Sequence, residues 1–241
     1  MLDAMDDYVI DFDALSVNAV FCIWLGASQM SSQRAAALQS IVQNIDSPII
    51  HITDRNVRQW QRSGYPFHPG FEFLSETHRA DYLRCYLMHH FGGGYTDIKH
   101  TTSSWRTPFR EFRFSRAFGM GYREVGPQGV APVGGELGSV LRMHFAQLIG
   151  CCSFIFRRNT EFTTEWMRRV HETLDTKLDA LRRNPARHPQ DATGMRLDGA
   201  SPSPYPFAWT EILGNIFHPL VYEWNERIMH ASIAPSFVGY R

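Results

Sequence analysis

Three consecutive glycines, Gly92-Gly93-Gly94, and the segments on either side of them limit the fold of this chain more than any other feature of its 241 residues. Upstream, Ser75 is suited to cap a helix, Glu76 sits at the positive end of that helix, and Ala80, Leu83, Leu87 and Phe91 recur at helical spacing. The spacing predicts a helix that packs one stripe against a core. Asp81 and Arg84, three residues apart, fall on a neighbouring face, and His89 and His90 come where the helix ends. Downstream, Tyr95-Thr96-Asp97-Ile98-Lys99 reads as a short strand. The glycines let the chain reverse and bring Asp97 back beside the helix it has just left. Asp81, Arg84 and Asp97 are thereby expected at one site. Taken singly, each feature has a plainer reading, an exposed ion pair or a helix stop; the combination at these offsets favours a ligand site.

The order of the flanking segments predicts the fold class. Residues 17–25 (VNAVFCIWL) read as a buried strand and residues 31–44 as a helix carrying Ala35, Leu38, Ile41 and Val42, while residues 49–53 read as a second strand ending at Asp54. Strand, helix, strand implies a parallel unit, hence an α/β fold with a mixed, mostly parallel sheet flanked by helices. In open α/β sheets ligands sit outside the carboxyl ends of the strands, which places Trp24 to stack on a base and Thr53 near a ribose or base. An ordinary core tryptophan remains the competing reading of Trp24, and Asp54 is expected to cap a helix over 57–62.

Beyond the central stretch, residues 100–108 read as loop, and Phe112, Phe114, Ala117 and Phe118 suggest a strand region. Residues 119–138 hold seven glycines and two prolines, which predicts a long mobile loop placed to act as a lid. Residues 148–156 (LIGCCSFIF) predict a buried strand, and residues 160–182 a helix with Phe162, Trp166, Val170, Leu174, Leu178 and Leu181 along one side. The arginine pairs 157/158, 168/169 and 182/183 read as solvated faces. A proline-rich excursion over 184–206 leads to Trp209-Thr210-Glu211, and a last strand is expected within 227–234. Residues 1–16 are an acidic lead-in to which no chemistry is assigned.

Composition narrows the function classes. Lys+Arg and Asp+Glu balance at 24 each, so no net field draws the chain to nucleic acid or an anionic membrane. With 44% hydrophobic residues the chain can bury a sizeable core, expected as one domain over 1–241. The apolar runs are too short to span a bilayer. Four cysteines in apolar segments, without a signal peptide or glycosylation acceptor, point to reduced thiols and a cytoplasmic setting. Eleven histidines show no zinc-site spacing, and the glycine run is neither a Walker loop nor a dinucleotide fingerprint.

The run Ala80-Asp81-Tyr82-Leu83-Arg84, followed by Gly92-Gly93-Gly94-Tyr95-Thr96-Asp97, resembles the DXD-type glycosyltransferases of family 32, the capsular polysaccharide synthesis proteins and the glucosylating clostridial toxins. The Ile23-Trp24-Leu25-Gly26 segment is similar to their nucleotide-binding I-W-x-G stretch. The resemblance covers about the first half of the chain. It implies a GT-A-like fold, with 1–150 binding the nucleotide sugar and 151–241 on the acceptor side. It also implies transfer of a sugar, with retention, from a UDP-sugar (favoured) or GDP-sugar to a glycan, as in polysaccharide biosynthesis, or to another hydroxyl. Asp81 and Arg84 would contact the donor sugar, Gly93 and Tyr95 would line the donor site, and Asp97 would hold Mn²⁺ or Mg²⁺ on the diphosphate. Where these families carry a second DXD acid this chain has Lys99. Either Asp97 retains a weakly held cation, helped by His230 or Glu226, or Lys99 takes over the charge neutralisation; the first is the expectation. Apart from the resemblance, Glu211, which follows an aromatic, Pro-rich turn, is the candidate acid of the second half, with a helix-starting glutamate as the competing reading. The alternative from another class is a non-catalytic nucleotide-sugar or glycan-binding domain, in which Lys99 records lost chemistry.

Overall fold

The computed structural model describes residues 18–196 and 201–239. The acidic lead-in at 1–16 and part of the proline-rich excursion lie outside the described residues. Six strands, β1 (Val20–Ile23), β2 (Ile49–Ile52), β3 (Gly93–Thr96), β4 (Gly119–Arg123), β5 (Ile149–Phe156) and β6 (Ile228–His230), form one sheet in the order β2-β1-β3-β5-β4-β6. β1 is parallel to β2 and β3, and β4 to β6; only β5 runs the other way, between β3 and β4. The α/β architecture, a mixed and mostly parallel sheet flanked by helices, is the one the segment order led us to expect. Strands from both halves of the chain share this one sheet.

Helices α1 (Ser32–Asn44), α2 (Glu76–His90), α3 (Arg106–Phe114), α4 (Gly135–Met143), α5 (Glu161–Arg183) and α6 (Gly214–Glu223) cover the sheet. On one face Phe154 and Phe156 of β5 pack with Phe162 and Trp166 of α5 and Phe217 of α6; the Trp166 and Phe217 rings lie 4.8 Å apart. On the other face Val20 and Ile155 pack against Ile41 of α1 and Phe109 and Phe112 of α3, with Trp105. Burying a large aromatic stabilises by several kcal/mol, so this cluster anchors β5 within the sheet.

α2 begins as its sequence implied, with the Ser75 side chain accepting from the His78 N–H. It is buried nearly all round rather than along one stripe, because α5 and the segment around Tyr205 and Phe207 cover its other sides. The turn after it requires glycine for separate reasons at each position. Gly92 and Gly93 have φ of 69° and 84°, and a Cβ on Gly94 would come within 2.7 Å of the Trp105 ring.

Several expectations fail in the middle of the chain. The segment read as a loop and then a strand is α3, whose Phe109 and Phe112 are buried one helical turn apart while Phe114 is 83% exposed. The expected mobile loop at 119–138 contains β4, a 3₁₀ turn at Pro127–Gly129 and the start of α4. Its glycines serve close packing: a Cβ on Gly119 would enter the Phe156 ring, and one on Gly121 would meet Ile149. Arg157 is not a solvated arginine either, since its guanidinium donates to the carbonyls of Phe112, Ser115 and Ala117 and closes the end of α3. Asp54 caps no helix; its Oδ2 accepts from the Gly26 N–H at 2.5 Å and ties the carboxyl ends of β1 and β2 together.

Truncating the core anchor should therefore matter far more than truncating the exposed aromatic. Trp166→Ala is expected to lower unfolding free energy by about 3–5 kcal/mol and Phe114→Ser to change it by less than about 0.5 kcal/mol, as measured by urea denaturation.

Candidate functional site

Because five of the six strands point the same way, their carboxyl ends share one edge of the sheet. Trp24 lies there just after β1, Thr53 after β2, Asp97 after β3 and Glu124 after β4, with the start of the reversed β5 among them. α2 leans over this edge and contributes Asp81 and Arg84.

Asp97 is the centre of a buried ion network. Its Oδ1 lies 3.0 Å from Arg84 Nη2 and accepts from the Tyr95 hydroxyl at 2.9 Å, and its Oδ2 lies 3.0 Å from Lys99 Nζ. Asp81 Oδ1 is 3.5 Å from the same Arg84 nitrogen. Strand β5 closes the arrangement: the Cys151 carbonyl accepts from Arg84 Nη1 at 3.0 Å and Cys152 Sγ accepts from Lys99 Nζ at 2.9 Å. The Arg84 guanidinium also lies over the Tyr95 ring, at 4.7 Å from its centre. Arg84 Nε is buried and has no hydrogen-bond partner among the described residues, a condition that native proteins avoid.

The backbone explains this convergence. The Asp97 N–H donates to the Cys152 carbonyl and the Lys99 N–H donates to the Asp97 carbonyl, each at 2.7 Å, so the chain turns tightly after β3 and folds Lys99 back over Asp97. Arg34 of α1 donates to the Ile98 carbonyl at the same turn. On the outer side Lys99 faces the ring of Phe237, 5.3 Å from its centre, in a tail whose Ser236 N–H donates to the His100 carbonyl.

Electrostatics separates the two aspartates. Burial raises the Asp97 pKa, but Arg84 and Lys99, with the hydrogen bonds from Lys99 and Tyr95, overcome it and bring it down to about 2. Burial also dominates at Asp81, where Arg84 opposes it and the Asp97 charge adds to it, and the carboxyl is pushed up to about 7. One acid is fixed as a carboxylate and the other is poised near neutrality. Lys99 stays protonated, because Asp97 more than offsets the effect of its burial.

Sequence reasoning missed a second group beside this network. Glu124 is buried; its Oε1 accepts from the Val125 N–H at 2.8 Å and its Oε2 lies 3.7 Å from His218 Nε2. His218 Nδ1 accepts from the Ala131 N–H at 2.9 Å, which fixes the ring proton on Nε2, 3.6 Å from Cys151 Sγ. Burial lowers the His218 pKa to about 4 and raises that of Glu124, with the Val125 N–H and then Lys99 opposing the latter. The only local signal for Glu124 was its place after a strand that glycine-rich composition disguised as loop.

Other expected site residues fall out differently. Trp24 is half-buried, packs against the Cys22, Ala37 and Ile98 group, and donates from Nε1 to the Ser28 carbonyl at 2.9 Å, so it remains at the edge close to the turn. Thr53 stays at the end of β2, its N–H donating to the Asn56 side chain. Tyr95 is buried, and its hydroxyl meets Asp97 rather than open space. Gly93 pairs with Phe156 at the opposite end of β3 from Asp97 and serves the turn. Glu211 is not brought to the network: it forms an ion pair with Lys177 and accepts from the Ala208 N–H, along a cleft of about 460 Å³ that Arg169, Thr173 and Asn215 also line. His230 faces the Leu148 carbonyl from the outermost strand, and Glu226 is exposed in a 3₁₀ turn. Among the described residues no three His, Cys, Asp or Glu side chains converge as a metal-holding group, and no helix is long and apolar enough to cross a membrane.

No family model matches the sequence, and no curated protein matches it. Among solved structures, one described as "PaToxG Glycosyltransferase" is similar to this chain, with a TM-score of 0.48 and 11% identity over 86% of this chain and 69% of that one.

The opposite pKa shifts of the two aspartates yield opposite linkages. The folded state binds a proton at Asp81 more readily than the ordinary 3.8, so its contribution to stability is present in acid and lost as pH rises toward about 7. Asp97 contributes stability above its ordinary 3.8 that is lost as pH falls toward about 2. Asp81→Asn should therefore hold or raise the unfolding free energy above neutrality and flatten its slope between the two pKa values, as followed by denaturation across pH. Asp97→Asn leaves Arg84 and Lys99 buried without their shared carboxylate and should cost about 3–5 kcal/mol at neutral pH.

Proposed function

We propose that this chain is a glycosyltransferase that moves a sugar from a nucleotide-sugar donor, a UDP-sugar or alternatively a GDP-sugar, to a hydroxyl of a glycan or other acceptor. One observation carries the reading: Asp81, Arg84 and Asp97, the residues on which the family resemblance rests, meet in a single buried network at the carboxyl edge of a mostly parallel sheet. This is the edge at which open α/β sheets bind ligands. The resemblance adds retention of configuration as the expected outcome of transfer.

Each role follows from charge and placement. The half-buried indole of Trp24, beside Thr53, offers a surface for the base. Asp81 accepts hydrogen bonds from sugar hydroxyls, and Arg84 donates to hydroxyl or phosphate oxygens. Arg84 and Lys99 stabilise the charge that develops on the departing diphosphate, and because Asp97 and β5 already hold them, they need little reorganisation to do so. Glu124 supplies a carboxylate near Lys99, suited to take a proton from the acceptor hydroxyl. A Mn²⁺ or Mg²⁺ ion fits this set poorly, because the Asp97 oxygens are already engaged and the neighbouring groups are cations.

The same saturation favours a second reading, a non-catalytic nucleotide-sugar or glycan-binding domain in which the ion network is purely structural. Turnover separates the two. Purified protein incubated with UDP- and GDP-sugars should release nucleoside diphosphate, faster with acceptor than by hydrolysis alone. Arg84→Met and Glu124→Gln should each slow release by about 100-fold or more, Glu124→Gln without weakening donor binding. Ligand retained without release by the unaltered protein would establish the binding-domain reading instead.

A further inference from the structure

We infer that the site holds the diphosphate of its ligand without a divalent cation, Lys99 and Arg84 supplying the positive charge that a metal would otherwise bring. The inference rests on the nucleotide-sugar reading above and concerns how that ligand is bound.

A carboxylate that ligates a dication must offer it an oxygen. Asp97 Oδ1 already meets Arg84 at 3.0 Å and Tyr95 at 2.9 Å, and Oδ2 meets Lys99 at 3.0 Å. Seating a cation there would mean displacing Lys99 and then holding the cation beside an ammonium and a guanidinium in a buried site, where like charges repel strongly. Hard dications favour several oxygen ligands. The other carboxylate of the network, Asp81, faces Arg84 and is near its midpoint of ionisation at neutral pH. His230 and Glu226, the late residues that would have completed a ligand set, are respectively turned to the Leu148 carbonyl and exposed in the 3₁₀ turn that precedes β6.

The same charges suit an anion. Two cations, Arg84 and Lys99, converge on the Asp97 carboxylate, so two positive groups are already gathered where a diphosphate would need them. Their side chains are only 12% and 9% exposed, which keeps water screening low. Lys99 is also held in place, by the tight turn at Asp97, by Cys152 Sγ and by the Phe237 ring, so the ammonium is a built feature of the site rather than a surface lysine. Arg34 at the Ile98 carbonyl adds a third cationic side chain to the same turn.

Calorimetric titration with UDP and with GDP tests this directly. In excess EDTA and in excess Mn²⁺ the unaltered protein should bind at least one of them with dissociation constants within about 3-fold of each other. Lys99→Asp restores a second acid; it should lose at least about 10-fold in affinity in EDTA and recover it with Mn²⁺, while Lys99→Met should lose affinity in both buffers. Circular dichroism establishes that each variant is folded; should Lys99→Asp fail to fold, the unaltered protein and Lys99→Met decide. Binding of UDP or GDP by the unaltered protein only when Mn²⁺ is present would overturn the inference while leaving the nucleotide-sugar reading intact. Absence of binding in both buffers would overturn that reading, and this inference with it.

Discussion

The carboxylate of Asp97, buried between Arg84 and Lys99, is the interaction on which the rest of this structure depends. A buried carboxylate is tolerated only with compensating charge, and buried cations only with a carboxylate, so none of the three can be placed independently of the others. Their alignment takes contributions from α2, from the turn after β3 and from the start of β5. The reversed direction of β5 is essential to this, because it brings Cys151 and Cys152 to the edge where the parallel strands end. The aromatic cluster around Trp166 and Phe217 holds β5 in that place from one face of the sheet. Core packing and site geometry are therefore two aspects of one arrangement.

Preorganisation of this kind has chemical value at a phosphate-handling site. Groups already fixed by a buried partner do not have to reorient as charge develops on a leaving group. Asp97 holds Arg84 and Lys99 in place as a fixed carboxylate, whereas burial pushes the Asp81 carboxyl up to about 7. Glu124, His218 and Cys151 form a second group on the same edge, in which the Ala131 N–H sets the tautomer of the imidazole.

Much of this was legible in the residues, where local chemistry and global fold agreed. The Ser75 cap, the glycine turn and the β1-α1-β2 order all appear as read, because capping, positive φ and apolar runs act over a few residues. Glycine misled at β4, where Gly119 and Gly121 make room for Phe156 and Ile149 from a strand some thirty residues further along the chain. Phe112, Phe114, Ala117 and Phe118 suggested a strand region, yet Phe114 is exposed, and the helix is set by Phe109 and Phe112 against Trp105 and the sheet. Asp81, Arg84, Asp97 and Lys99 lie within a short span of sequence, and their convergence was expected from it. Glu124 reaches this edge and Glu211 pairs with Lys177 elsewhere, which neighbouring residues could not reveal because the placement of late acids depends on sheet order.

The most direct measurement is a crystal structure of the chain soaked with UDP. The expected result is a diphosphate within hydrogen-bond reach of Lys99 Nζ, at the carboxyl ends of β1 and β3, with the base against Trp24 and the Asp97 contacts to Arg84 and Lys99 preserved. A nucleotide bound instead in the cleft between α5 and α6, or a diphosphate seated away from Lys99, would contradict a ligand-binding role for the Asp97 network.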